Sequence, residues 1–128
     1  MALLDPRRPR RTEEGTAIDL SLDTSQHGRW TVVSVRGELD LYTAPQLREA
    51  VLGLDAGSPP DVAVDLSDVG FIDSSGLGAI IACLKHVREQ GGELALVTPE
   101  ASPLTKLLAL TGLDAAVSTV ASIEDAGA

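Results

Sequence analysis

Aromatic residues, cysteine and lysine are all scarce in this chain, and each shortage excludes something. Aromatic residues make up only 2% of the 128 residues, against 44% hydrophobic residues in total, so the core has to be aliphatic. Cys83 is the single cysteine, which excludes an intrachain disulfide and a cysteine-rich metal cage. Lys85 and Lys106 are the only lysines, and neither belongs to a Gly-x-x-x-x-Gly-Lys-Ser/Thr phosphate-binding loop.

Long apolar runs and an even distribution of charge are also missing. No apolar stretch approaches the length of a membrane span or of a secretory signal core. The formal net charge is −9, and residues 12–128 hold 18 acidic and six basic side chains. Nucleic-acid affinity comes largely from Lys and Arg side chains, so this acidic body argues against that ligand and is compatible with a basic protein partner. We expect a cytoplasmic protein that binds neither nucleic acid nor a membrane.

The basic segment at the start is predicted to be a leader and not part of the domain. Residues 1–16 contain four arginines and two prolines and show no hydrophobic periodicity. Such a segment cannot bury enough apolar surface to fold alone. A nucleic-acid or membrane arm is the alternative interpretation, but we expect a disordered Arg-rich leader. The folded domain is predicted over residues 17–125.

Hydrophobic periodicity predicts an alternation of strands and helices in this domain. A β-rich run begins at Trp30, after a first alternating segment and a turn at residues 26–28, so the two segments form a predicted hairpin. Strands are predicted at 18–23, 30–35, 62–66, 94–97 and 116–120, and helices at 43–54, from 74 or 75 to 90, and at 102–112. Strands alternating with helices imply a mainly parallel sheet. The expected fold is a single α/β domain with a mixed, mainly parallel sheet of four or five strands, an N-terminal hairpin and three or four helices.

Several local predictions depend on shorter patterns. Thr43 followed by Gln46 fits a capping box at the start of the first helix. Residues 67–72 are interpreted as a loop that Val69, Phe71 and Ile72 anchor to the core. Residues 122–125 are interpreted as the first turn of a fourth helix. The third helix is expected to turn leucines inward, namely Leu104, Leu107, Leu108 and, as a further candidate, Leu110.

The stretch Asp73–Gly78, of sequence Asp-Ser-Ser-Gly-Leu-Gly, is the clearest chemical feature of the chain. It places Ser74 and Ser75 at a predicted helix N-terminus, where unpaired backbone N–H groups and the macrodipole favour added negative charge. The alternative is an ordinary helix cap, which is worth about 1 kcal/mol. A helix needs only one cap, however, and Gly76 leaves the first turn open to close approach. The stretch therefore predicts a contact site that tolerates a phosphate.

A catalytic role for these serines finds no support in the sequence. A nucleophile elbow needs glycine two residues before and two residues after the serine, and neither Ser74 nor Ser75 has that pattern. His86 lies eleven residues after Ser75 on the same predicted helix, about 16 Å away, and His27 lies in the hairpin turn. Two histidines and one cysteine far apart in sequence give no metal constellation. We expect no enzyme, metal site or cofactor, and a small hydrolase or nucleotide-binding protein is the least favoured alternative.

The same residues resemble those of a known family, the bacterial anti-sigma factor antagonists of the STAS-domain group. In chain order, the matching motifs are Gly37-Glu38-Leu39-Asp40 with Thr43, Ala44 and Leu47, then Asp73–Gly78, which is similar to the family's phosphorylation motif, and then Leu110-Thr111-Gly112-Leu113. The resemblance covers roughly residues 17–125, nearly all of the predicted domain. The stretch from Asp40 to Ala50 looks most like actinobacterial members.

The resemblance implies a STAS domain that acts as a regulatory switch. Unphosphorylated members bind an anti-sigma factor that is also a serine kinase, and so free the sigma factor. The kinase, which supplies the ATP site, phosphorylates the second serine of the motif, here Ser75, and a serine phosphatase restores binding. The residues implied to frame the acceptor or to contribute to docking are Asp40, Tyr42, Thr43, Asp73, Ser74, Gly76 and Leu77. A STAS adaptor of a stress-signalling scaffold or of a lipid transport system is the alternative role.

Overall fold

Strands and helices follow each other in the predicted order. A computed structural model describes residues 20–54, 60–99 and 102–127, so the predicted leader lies outside the described residues. The described strands are β1 (Ser21–His27), β2 (Trp30–Leu39), β3 (Val62–Ile72), β4 (Leu94–Val97) and β5 (Ser118–Val120). The α-helices are α1 (Ala44–Leu52), α2 (Ser74–Glu89) and α3 (Pro103–Thr111), and 3-10 turns cover Leu113–Ala115 and Ile123–Ala126. The predicted fourth helix is therefore only a short 3-10 turn.

The strands form one sheet in the order β1-β2-β3-β4-β5. β1 pairs antiparallel with β2 as the predicted hairpin, and the other three pairs are parallel. Each parallel pair needs a crossover connection, and α1, α2 and α3 supply these in turn. The predicted α/β class with a mixed, mainly parallel sheet is confirmed. This topology also places the carboxyl ends of β2, β3 and β4 at one edge of the sheet, where each is followed by a helix.

The core is aliphatic, as the shortage of aromatic residues predicts. The main cluster joins the sheet to the three helices and includes Val33, Val64, Leu96, Leu47, Ile80 and Leu108. A second cluster contains Trp30, Val32, Ala63 and Ala95, with Ile123 and Ala126 packed against it. Val32 and Val33 are consecutive in β2, so the two clusters lie on opposite faces of the sheet. The indole N–H of Trp30 donates to the carbonyl oxygen of Gly127 over 2.8 Å, which fastens the end of the described chain to the second face. None of the described helices is long and apolar enough to cross a membrane.

β2 and β3 both run further than the sequence predicted. The interpretation of residues 67–72 as a loop is wrong, because β3 continues to Ile72 in parallel register with β2, and the last pair joins Ile72 to Leu39. Register shifts interrupt the β2–β3 pairing. Such shifts break the alternation of apolar and polar side chains, so the single-strand pattern fades while the cross-strand pairing continues.

Two apolar side chains that were expected to point inward are exposed. Phe71 is 49% exposed and Leu110 is 84% exposed. Ile72, the neighbour of Phe71, packs against the main core, and successive side chains of a strand point to opposite faces. Leu104 and Leu108 are buried one turn apart on α3, whereas Leu110 lies about 200° around the helix from Leu108.

The packing of α3 can be tested with two leucines that are two residues apart. Leu108→Ala is expected to lower the free energy of unfolding by about 2–5 kcal/mol, because it opens a cavity at a side chain that is 1% exposed. Leu110→Ala is the matched control and should change it by less than about 0.5 kcal/mol. Urea denaturation measures both values, and equal losses would contradict the described orientation of α3.

Candidate functional site

The ends of β2 and β3 are held together at the edge of the sheet where α1 and α2 begin. Leu39 and Ile72 form the last cross-strand pair, and the backbone N–H of Asp73 donates to the Leu39 carbonyl oxygen over 3.1 Å. The chain leaves β2 through a short loop into α1 and leaves β3 directly into α2. These adjacent exits form one surface, the strand-exit surface, which comprises residues 38–43 and 71–77.

Asp73 is the cap of α2. Its backbone is extended, and its carboxylate oxygen Oδ1 accepts hydrogen bonds from the backbone N–H groups of Ser75 (2.9 Å) and Gly76 (3.0 Å). The predicted start of the helix at Ser74 or Ser75 is therefore confirmed, with Ser74 as the first helical residue. The expectation of unpaired N–H groups for a phosphate changes, however, because the Asp73 carboxylate already occupies two of them. An anion added at Ser75 meets a carboxylate in addition to the helix dipole.

The first turn of α2 combines accessible hydroxyls with a tightly packed glycine. Ser74 is exposed and Ser75 is half-buried, so neither hydroxyl is sealed in the core. Gly76 is buried, and a Cβ atom at this position would lie 2.8 Å from Leu39 Cβ, from the Leu39 carbonyl oxygen and from Ile72 Cγ1. The predicted open first turn is wrong on this point. The absence of a side chain at Gly76 lets α2 pack closely on the strand ends.

The loop between β2 and α1 is held by hydrogen bonds among its own residues. Asp40 Oδ1 accepts from the backbone N–H groups of Tyr42 (2.9 Å) and Thr43 (3.0 Å). The Thr43 hydroxyl accepts from the N–H of Asp40 (2.9 Å) and donates to the carbonyl oxygen of Glu38 (2.5 Å). The predicted capping box is wrong, because Thr43 makes no side-chain cap hydrogen bond and its hydroxyl is committed to the loop.

The structure brings the predicted site residues to one surface but gives them different exposure. Tyr42 is 82% exposed, whereas Thr43 is 3% exposed. Leu77 is half-buried and packs against the main core. Thr43 and Gly76 therefore position the surface, and the other residues form its accessible part. The full set is Asp40, Tyr42, Thr43, Asp73, Ser74, Ser75, Gly76 and Leu77.

Sequence reasoning missed two apolar side chains on the strand-exit surface. Leu41 is 64% exposed and Phe71 is 49% exposed. Leu41 lies in the loop between Asp40 and Tyr42, and Phe71 pairs with Glu38 across the sheet. An apolar residue beside polar ones carries no local signal that it faces water. The exposure of Phe71 follows from the continuation of the β2–β3 pairing to Ile72, which is apparent only in the three-dimensional structure.

Other reactive side chains lie away from Ser75. His27 ends β1 at the hairpin end of the sheet, opposite the strand-exit surface, and His86 lies near the C-terminal end of α2. Cys83 is buried in α2, and burial raises the pKa of its thiol to about 12, so the thiol stays protonated and unreactive at neutral pH. The described residues contain no group of three or more His, Cys, Asp and Glu side chains that could hold a metal ion.

One protein-family model matches almost all of the described chain. Residues 21–126 match the family model of the STAS domain, and the chain belongs to the STAS-domain family. The parallel strands, the crossover helices and the serine pair at the start of α2 all lie within the matched residues.

Individual relatives within the family share a name. The chain is 36% identical over 96 residues to the anti-sigma-B factor antagonist of Bacillus subtilis (strain 168). This alignment covers 75% of this chain and 86% of the relative. The anti-sigma-B factor antagonist of Staphylococcus aureus (strain NCTC 8325 / PS 47) is 31% identical over 96 residues, covering 75% and 88%. An anti-sigma factor antagonist from Mycobacterium paratuberculosis has a solved structure with a TM-score of 0.73 and 33% identity, covering 84% of this chain and 90% of that one. The predicted resemblance is confirmed, including the likeness to an actinobacterial member.

The close packing at the start of α2 generates a test with two nearby glycines. Gly76→Ala is expected to destabilise the protein by about 1–3 kcal/mol, because the new Cβ lies 2.8 Å from backbone and side-chain atoms of the strand ends. Gly78→Ala is the control, since no described atom lies within 4 Å of its Cβ position, and it should stabilise the helix by about 0.5–1 kcal/mol. Thermal or urea denaturation measures both, and a Gly76→Ala variant as stable as wild type would contradict the packing.

Proposed function

We propose that this protein is an anti-sigma factor antagonist switched by phosphorylation at Ser75. The unphosphorylated form binds an anti-sigma factor that is also a serine kinase, and the occupied kinase releases its sigma factor. The kinase transfers the γ-phosphate of ATP to the Ser75 hydroxyl, which gives up its proton, and the complex dissociates. A serine phosphatase hydrolyses the ester and restores binding. The chain acts in the cytoplasm as a binding protein, without catalysis or a cofactor of its own.

The position of the Ser75 hydroxyl carries this proposal. Ser75 lies in the first turn of α2, half-buried, beside the exposed loop that contains Tyr42. We expect a kinase docked on the strand-exit surface to reach this hydroxyl, because Ser75 is only half-buried. The relatives compared above are antagonists of anti-sigma factors by name, which favours this role over that of a STAS adaptor in a scaffold or a lipid transport system.

Charge supports the switch. A phosphoserine carries about −1.5 to −2 charges near neutral pH. At Ser75 it stands beside the carboxylate of Asp73, which is held by two backbone N–H groups, and at the same edge as Asp40, which is held by two more. Neither carboxylate can move away without giving up its hydrogen bonds. A tenfold loss of affinity needs only about 1.4 kcal/mol, so one phosphate that disfavours docking is sufficient to weaken the contact tenfold.

Two serine variants test the acceptor. Ser75→Ala is expected to abolish phosphate incorporation because the accepting oxygen is absent. Ser74→Ala removes the neighbouring, more exposed hydroxyl and should still take up one phosphate per chain. Intact-mass measurement after incubation with the cognate kinase and ATP distinguishes the two. Stoichiometric phosphate on Ser75→Ala, or none on Ser74→Ala, would contradict the assignment.

A further inference from the structure

We propose that three apolar side chains of the strand-exit surface, Leu41, Tyr42 and Phe71, anchor the protein partner. We call them the apolar trio. The inference rests on the proposed function and adds the chemistry of the partner's side, which is a hydrophobic patch edged by lysine and arginine side chains. It also assigns the cost of docking the phosphorylated form to desolvation of the phosphate.

The backbone places the three residues of the trio near one another, because Leu41 and Tyr42 follow the end of β2 and Phe71 pairs with Glu38 near that end. Of the large hydrophobic residues in the described chain, the exposed ones are Leu41 (64%), Tyr42 (82%), Leu52 (41%), Phe71 (49%) and Leu110 (84%). Leu52 and Leu110 lie near the C-terminal ends of α1 and α3, at the other end of the sheet from Ser75. Scattered exposed hydrophobic residues are normal, whereas a cluster of them, with aromatic members, marks an interaction surface.

The loop between β2 and α1 keeps Leu41 and Tyr42 exposed to solvent. Asp40 Oδ1 accepts from the backbone N–H groups of Tyr42 and Thr43, and Thr43 is buried with its hydroxyl bonded to Glu38 and Asp40. Leu41 and Tyr42 therefore project from a loop whose backbone is fixed on both sides. A fixed anchor loses little freedom on binding, which favours affinity.

The sheet holds the third member. Phe71 pairs with Glu38 across β2 and β3, and its neighbour Ile72 is packed inward, so Phe71 cannot join the core without loss of the strand register. A shallow hollow beside Phe71 is lined by apolar side chains that include Val69, Ile72 and Leu104. An apolar side chain of the partner that covers Phe71 would lie over this hollow.

Carboxylates surround the trio and define the rim of the partner. Residues 36–43 and 68–73 contain four acidic side chains, Glu38, Asp40, Asp68 and Asp73, against one basic side chain, Arg36. Arg36 lies 3.8 Å from Asp68, so its charge is already shared. A partner that covers the trio has to offset the remaining carboxylates, and Lys and Arg side chains at the rim do so. An apolar centre with a polar rim is the usual organisation of a protein interface.

This arrangement gives the phosphate a specific way to act. Ser75 belongs to the same strand-exit surface as the trio, and this surface has no basic residue, so docking against the partner's hydrophobic patch would strip water from a phosphate at Ser75 without pairing its charge. An unpaired buried charge is costly. Like-charge repulsion between the two proteins would be screened by salt, whereas a desolvation cost would not. The two mechanisms therefore differ in their salt dependence.

The first experiment measures the affinity of trio variants for the purified kinase that phosphorylates Ser75. Tyr42→Ala and Phe71→Ala are each expected to weaken binding by about tenfold or more, while Leu52→Ala and Leu110→Ala stay within about twofold of wild type. Tyr42→Phe keeps the ring and should bind like wild type. Thermal unfolding verifies that each variant is folded. If wild type binds and Ser75→Glu does not, but the trio variants bind normally, the inference is overturned and the proposed function stands.

The second experiment compares Ser75→Glu with wild type at about 0.05 M and about 0.5 M salt. Wild-type affinity should fall with salt, because the rim contacts are electrostatic. The ratio of the two dissociation constants should persist at high salt, because desolvation is not screened. A ratio that collapses toward one at high salt would overturn the desolvation mechanism and indicate an acidic partner surface. If wild type itself does not bind the kinase, the proposed function fails, whatever the trio does.

Discussion

Contact between the first turn of α2 and the last residues of β2 and β3 fixes the geometry of the whole strand-exit surface. Gly76 lets the helix approach Leu39 and Ile72 to a distance that excludes a methyl group, and the N–H of Asp73 bonds to the Leu39 carbonyl oxygen. The first turn of α2 is therefore held against the end of β2, from which the loop leaves. Because Ser75 lies in that first turn, the position of its hydroxyl relative to the loop is set by the core and not by the loop itself.

Backbone hydrogen bonds at the strand-exit surface fix the positions of two negatively charged side chains. Asp73 and Asp40 each accept hydrogen bonds from two backbone N–H groups, so the two carboxylates are held in place at the edge where we propose that a partner docks. The Asp73 carboxylate caps α2 and lies two residues before Ser75, where a phosphate would add further negative charge. The helix dipole makes the modification tolerable to the fold, while the fixed carboxylates and the neighbouring apolar groups make it unfavourable in a complex.

Much of this was predictable from sequence, and the failures have a common cause. The element order, the hairpin, the start of α2 at Ser74 or Ser75 and the family follow from short-range patterns and motifs. The extension of β3 to Ile72, the exposure of Phe71 and the role of Thr43 do not, because each depends on a partner in the adjoining strand or loop. Thr43 illustrates this, since its spacing to Gln46 fits a helix cap while its hydroxyl is taken by Glu38, five residues upstream. Gly76 does permit close approach, but the approaching groups belong to the chain's own β2 and β3 and not to a partner.

The central claim is that an ester at one oxygen, Ser75 Oγ, decides whether the partner binds. Calorimetric titration measures the affinity for the kinase directly, with ADP bound to the kinase so that no phosphate is transferred. Three samples are compared: the unphosphorylated protein, the singly phosphorylated protein, and the phosphorylated protein after phosphatase treatment. The account predicts an affinity at least about tenfold weaker for the phosphorylated form, with full recovery after the phosphate is removed. Equal affinity for the three samples would contradict it.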